Sequence, residues 1–137
     1  MIAAGLGCRA GCPVEHVLAA LEQALAAGGC VLEQLSGLYT AQFKHAEPAL
    51  LLAAERLSKP LVVLPLAELQ AQSSKALSCS AHSLERFGVP SIAETAALAG
   101  AARAASPGEP RLIGTRSIAG SATCALAIDT RGGGGAP

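Results

Sequence analysis

The sequence predicts a three-layer α/β/α domain built on a mixed sheet, with parallel βα units at the front and an antiparallel hairpin at the end. Three observations carry that expectation. Short apolar runs alternate with segments of helical period as far as Leu98. Two strand-like runs, 111–118 and 122–128, then follow one another directly. Alanine, leucine and valine dominate an apolar content of 51%, and alanine-rich helices can lie close against a sheet.

Residues 2–6, IAAGL, are short, apolar and uncharged, as a strand buried on both faces should be. Gly5, Gly7 and Gly11 interrupt that run and mark a turn shaped for close approach to the main chain. Pro13 suits the first position of a helix because it has no N–H to leave orphaned there. Val14, Val17, Leu18, Leu21 and Leu25 repeat at helical spacing, with Glu15, Glu22 and Gln23 opposite. An amphipathic helix should therefore run to about Ala27, with Gly28 and Gly29 as its caps. Residues 30–35 follow as a second strand, and 36–46, SGLYTAQFKHA, lack a clear period and read as a functional loop.

Pro48 opens a second helix whose buried stripe is expected at Leu50, Leu51, Ala54 and Leu57, with Glu47 complementing its dipole. Ser58-Lys59-Pro60 ends it before 61–64, LVVL, which looks like a central strand. Pro65 closes that strand, and Leu66 and Leu69 begin a brief helix. Residues 72–82 are polar and serine-rich, the most mobile internal stretch expected and a candidate lid. A helical turn at 83–87 stops at Gly88, and Val89-Pro90 is an extended step. Ser91 and Glu94 form a capping box, S-I-A-E, ahead of a helix reaching about Arg103. Ser106-Pro107-Gly108 is a loop, and Gly120-Ser121 turns the final hairpin just after Arg116. Residues 1–129 should form a single domain, and 130–137, with four consecutive glycines, a disordered tail.

Ten basic and ten acidic side chains give a formal charge of zero, which removes the electrostatic footprint of a nucleic-acid binder. Tyr39, Phe43 and Phe87 are the only aromatics, too few for a stacking platform. No apolar run reaches the ~18 to 20 residues of a spanning helix, and no basic segment precedes the first apolar run as in a secretory signal. A soluble, cytoplasmic protein with neither nucleic-acid nor membrane partner is expected. The five cysteines, at 8, 12, 30, 79 and 124, are scattered and odd in number, which fits reduced thiols. Cys8 and Cys12 form a C-x3-C pair with His16 one turn beyond, but no second cysteine pair or His-x3-His supplies a structural zinc with its fourth ligand. No metal or other cofactor is expected.

A strand, a glycine turn and a helix N-terminus together offer backbone N–H groups and a positive dipole end, to which Arg9 adds a full charge. Such a place suits an anion. The pattern G-x-G-C-R-x-G is neither the dinucleotide fingerprint nor the P-loop. Gly7, Cys8, Arg9, Gly11 and Cys12 therefore make one side of a candidate site. Tyr39, Phe43, Lys44 and Glu47 make the other, combining rings with placed polar groups. Parallel strands bring their C-terminal ends together, so both sides should open on one edge of the sheet.

The turn G-L-G-C-R-A-G, the block F-K-H-A-E-P at 43–48, the segment 87–98, FGVPSIAETAAL, and the closing T-C-A-L-A-I occur in one order. Together they resemble the cobalamin-biosynthesis family comprising CobE and the C-terminal domain of CbiG, over nearly all of residues 1–128. As one domain standing alone, the chain is similar to CobE more than to the multi-domain CbiG. The resemblance implies a part in corrin-ring synthesis at the precorrin stage. It also implies that Gly5, Gly7, Cys8 and Arg9 fall on the family's glycine-cysteine-arginine turn, Lys44 and Glu47 on its lysine and acidic pair, and Glu94 on the glutamate before its alanine run. Cys12 departs from a small hydroxyl residue common there, and Arg116 from a lysine, keeping charge but not geometry.

Corrin precursors carry acetate and propionate carboxylates around an apolar macrocycle. Arg9, Lys44, Arg116 and the turn N–H groups would meet the carboxylates, and Tyr39 and Phe43 the ring. Three roles are open on this reading. The favoured one is a protein that binds or carries a labile precorrin between enzymes. The second is an enzyme acting on a precorrin lactone or two-carbon fragment, as CbiG does, with Cys8 as nucleophile or Glu47 as base; no Ser-His-Asp or Cys-His pair supports it. The third is a non-catalytic subunit docked to other cobalamin-biosynthesis enzymes.

Overall fold

A computed structural model describes residues 2–42, 47–104 and 109–129. The first strand, β1 (Ile2–Cys8), sets the layering. Side chains alternate across a strand, so Ile2, Ala4 and Leu6 enter one core and Ala3 the other. On the first face lie α1 (Val14–Gly28) and α2 (Pro48–Leu57), through Val17, Ala20, Leu21, Leu50 and Ala53. On the second face lie α3 (Leu66–Gln70) and α5 (Ile92–Ala104), through Leu69, Ala93, Ala96, Ala97 and Leu98. The short α4 (Ala81–Phe87) precedes α5 and has no buried residue of its own.

Between the layers is the expected mixed sheet, in the order β3-β2-β1-β6-β4, with β5 also on β6. The strands β2 (Leu35–Ala41) and β3 (Leu61–Leu64) run parallel to β1, and β6 (Ala122–Asp129) runs antiparallel to it. The run expected as one strand from 111 to 118 is two, β4 (Pro110–Leu112) and β5 (Ser117–Ala119), both antiparallel to β6. The Ile113 N–H still reaches the Leu126 carbonyl, and Ser117 next pairs with Cys124. Gly114, Thr115 and Arg116 therefore oppose only Ala125, and the hairpin bulges there with Gly114 at φ 75°.

Several expectations need correction. The second strand is not 30–35 but β2, and the segment assigned to a loop is largely this strand. Its polar residues concealed it: Thr40 Oγ1 donates to the Leu6 carbonyl at 2.7 Å, and Ser36 Oγ to that of Ile2 at 3.3 Å. A strand buried on both faces tolerates such residues when a neighbour's main chain accepts from them. LVVL is an edge strand rather than a central one, with Val63 half exposed. On α2 the inward residues are Ala49, Leu50, Ala53 and Ala54, and Leu51 faces out. Pro13 is the N-cap of α1 rather than its first residue, and Gly29, at φ 66°, is the left-handed C-cap.

The early glycines also serve a different purpose. Gly5 and Gly7 lie within β1, and only Gly11, at φ 77°, shapes the turn. A Cβ on Gly5 would strike the main chain of α5 at the Ala93 carbonyl and the Ala97 nitrogen. Gly5 is what lets α5 lie on the sheet. Residues 72–82, expected to be loose, are held by the Leu77 and Ser78 N–H groups on Glu94 and by the Ser80 N–H on the Pro90 carbonyl, 2.8 Å. Phe43, Lys44, the loop at 106–108 and the tail at 130–137 lie outside the described residues.

Candidate functional site

The C-terminal ends of β1 and β2 and the N-termini of α1 and α2 meet on one edge of the sheet. There the chain leaves β1 through a four-residue turn in which the Cys12 N–H donates to the Arg9 carbonyl, 3.1 Å. Gly11 supplies the positive φ that the third position of such a turn requires. The Arg9 N–H is also engaged, donating to the Ser121 carbonyl at 3.0 Å, so the turn is stitched to the tip of the β5–β6 hairpin. That leaves Ala10 and Gly11 as its exposed crest. The Arg9 side chain is exposed and makes no ion pair among the described residues.

Beneath the crest, Cys8 is half-buried and Cys12 buried. Burial, then the charges that Cys12 and Glu47 would place beside it, and a hydrogen bond with the Cys12 thiol push the Cys8 thiol from 9.0 to about 12. Cys8 is therefore a neutral thiol at physiological pH, poorly suited to nucleophilic attack. The same coupling brings Glu47, the N-cap residue of α2, into the cluster across the β1–β2 edge. The edge thus collects Gly7, Cys8, Arg9, Gly11, Cys12 and Glu47. Lys44 and Phe43 belong to the stretch outside the described residues.

Three other expected site residues go elsewhere. Tyr39 is a core residue of β2 packed on α5, where a Cβ on Gly100 would stand 2.6 Å from its ring, and its hydroxyl lies 3.3 Å from Ser36 Oγ. It turns away from the edge. Glu94 is fully buried. Its Oε1 accepts from the N–H groups of Leu77, 2.9 Å, and Ser78, 2.7 Å; its Oε2 accepts from Ser78 Oγ, 2.8 Å, and the Arg116 N–H, 3.0 Å. Only half of the expected capping box is formed, with the Glu94 N–H donating to Ser91 Oγ at 3.2 Å. The side chain that should return to Ser91 instead binds the 77–78 segment to the hairpin bulge. Arg116 sits on that bulge, beside a groove of about 370 Å³ lined by Ala24, Gly28, Ile113 and Leu126. At roughly 3.3 Å per residue and 4.8 Å per strand, it is on the order of 10 Å along and 10 Å across from Cys8.

Sequence reasoning missed one fixture of the edge. His16, noted only as a metal ligand to consider, accepts at Nδ1 from the Ser121 N–H, 3.1 Å, and lies 3.0 Å from Ser121 Oγ. Its ring covers Gly120 so closely that a Cβ there would collide with it. The imidazole clamps α1 to the hairpin tip, and among the described residues no three of His, Cys, Asp and Glu converge on a point that could hold a metal. Gly120-Ser121, legible as a turn, was the available signal. Among the described residues no helix is long and apolar enough to cross a membrane.

The chain is similar to known proteins over most of its length. The profile of the family described as cobalamin synthesis G C-terminus matches residues 2–127. Protein CobE of Sinorhizobium sp is 35% identical over 123 residues, which are 90% of this chain and 77% of that protein. The crystal structure of CobE, a protein from the cobalamin (vitamin B12) biosynthetic pathway, superimposes with a TM-score of 0.88 at 38% identity, over 96% of this chain and 93% of that one. The cobalamin biosynthesis protein chiG of Agrobacterium tumefaciens str. C58 does so with a TM-score of 0.70 at 34% identity, over 93% and 98% of the two chains.

Proposed function

The chain belongs to the cobalamin synthesis G C-terminus family and is a protein of cobalamin biosynthesis; from that premise we propose that it binds a corrin-ring intermediate at the precorrin stage and holds it between enzymes. The ligand rests on the edge formed by the β1–α1 turn and the start of α2. One observation carries the choice of a binder: the cysteine at the centre of the edge is held as a neutral thiol, pushed up to about 12, while the next residue, Arg9, is an exposed cation. The edge thereby offers a charge to a carboxylate and withholds a nucleophile.

Arg9, the crest amides of Ala10 and Gly11 and the positive end of α1 meet one peripheral carboxylate. From their places in the sequence, Lys44 is assigned to a second carboxylate and Phe43 to the ring. Glu47 accepts from a donor on the ligand rather than acting as a base. The whole molecule has no net charge, so recognition rests on these local groups. The test is an absorbance titration of wild type, Arg9→Ala and Lys44→Ala with a hydrogenobyrinic-type corrin, with circular dichroism showing that each variant is folded. Each loss of a charge-assisted bond should cost about 1.5 to 3 kcal/mol, or about ten- to a hundredfold in affinity, and raised salt should weaken binding. Unchanged affinity in both variants would remove this site.

A further inference from the structure

On the far side of the sheet from that edge, β4 closes the strand order, with no strand beyond it among the described residues. The Ile113 N–H faces β6, where it donates to the Leu126 carbonyl. Antiparallel strands alternate inward and outward main-chain groups, so Arg111 shares the direction of Ile113, and Leu112 and Pro110 face out. The outward N–H of Leu112 takes no partner among the described residues, although Leu112 is only 9% exposed.

Opposite this edge runs a groove of about 490 Å³, walled by Lys75 and Leu77 on one side and Glu109, Pro110, Arg111 and Leu112 on the other. Leu77 is 61% exposed, the highest of the exposed large apolar residues. Its main chain is nevertheless fixed, because its N–H and that of Ser78 are bound by the fully buried Glu94. A leucine held outward on a clamped main chain beside an unpaired strand edge is a prepared surface. The groove carries both signs, Lys75 paired with Glu109 at 3.6 Å, and the charge left over is positive, since Arg111 is exposed and has no ion pair among the described residues.

We propose that the free edge of β4 is a docking groove for an extended segment of a partner protein, apolar on one face and acidic on the other, which adds a strand there. Leu112 lies in the α5-side core with Leu77 across the groove, and Arg111 projects to the opposite face of the strand. The added strand therefore sets apolar side chains against Leu77 and Leu112 and alternate carboxylates against Arg111. Its main chain takes the Leu112 N–H and the outward carbonyls. This surface is independent of the corrin reading and leaves the ligand edge open.

The probe is acetyl-Val-Asp-Val-Asp-Val-amide, added to the 15N-labelled protein, with its Lys-for-Asp counterpart as control. Saturable shifts at the amides of Leu77 and Leu112, slowed exchange of the Leu112 N–H and at least tenfold weaker binding of the lysine peptide are expected. Arg111→Glu, at an exposed position, should reverse the preference between the two peptides. Absence of saturable shifts, equal binding of the two peptides, or shifts that grow with protein concentration alone, which would make a second copy the occupant, each overturn the proposal.

Discussion

Glu94 shows how a residue's type can be read correctly and its use missed. The S-I-A-E pattern announces a helix start, and Ser91 does cap α5, but the carboxylate is spent on four donors from two other segments. Nothing local in the sequence specifies partners 16, 17 and 22 residues away. Glu94→Gln puts an NH2 group among those donors; Ser78 Oγ can turn to accept from it, and the Arg116 N–H cannot. Urea unfolding should show a loss of about 2 kcal/mol for Glu94→Gln and about 4 for Glu94→Ala, with faster exchange of the Arg116 amide. Unaltered stability in both would mean that the bonds to Glu94 are replaceable by water. Cys8 makes a pH prediction. Its thiol titrates near 9.0 in the unfolded chain and near about 12 when folded, so between those values the unfolded state alone gives up its proton. Stability is then full below about pH 9 and falls as the pH rises toward 12. Burial pushes the Cys124 thiol up as well, with the same sign. Cys8→Ser should make the alkaline fall of Tm shallower than in wild type; parallel curves would contradict the assignment.

Among the elements, those with a regular apolar period were legible and those that borrow their hydrogen bonds were not. The helix at 14–28 follows from its leucine and valine spacing, and the parallel front with an antiparallel close follows from the order of apolar runs. β2 was displaced by five residues because Ser36, Gly37 and Thr40 look like loop, whereas the Leu6 and Ile2 carbonyls satisfy the two hydroxyls and Pro60 packs where Gly37 has no side chain. The edge position of β3 is likewise a property of the sheet and not of LVVL. The contact of α5 with β1 gives the sharpest test at this scale. Gly5→Ala drives a methyl group into the main chain of α5, which cannot turn aside as a side chain could. A loss of at least about 3 kcal/mol, the upper end of ordinary overpacking, is expected in denaturant unfolding. A fully stable Gly5→Ala protein would show that α5 stands farther from the sheet.

For the whole molecule, the layered fold fixed which candidate residues could meet. The rule that parallel strands open their C-terminal ends together was enough to place Cys8, Arg9, Cys12 and Glu47 on one edge. It could not reveal that Tyr39 points back into the α5 core, that Glu94 is enclosed, or that two extra residues carry Arg116 out on a bulge. These outcomes depend on strand register and on both helical layers at once. The edge is proposed to bind a corrin intermediate without transforming it. The most direct measurement is a titration of the 15N-labelled wild-type protein with hydrogenobyrinic acid, followed by recovery and mass analysis of the ligand. Saturable shifts confined to the amides of Cys8, Arg9, Ala10, Gly11 and Glu47, with the ligand recovered unchanged, are predicted. Saturation centred on the Arg116 groove, no binding at all, or a ligand returned with altered mass would contradict it.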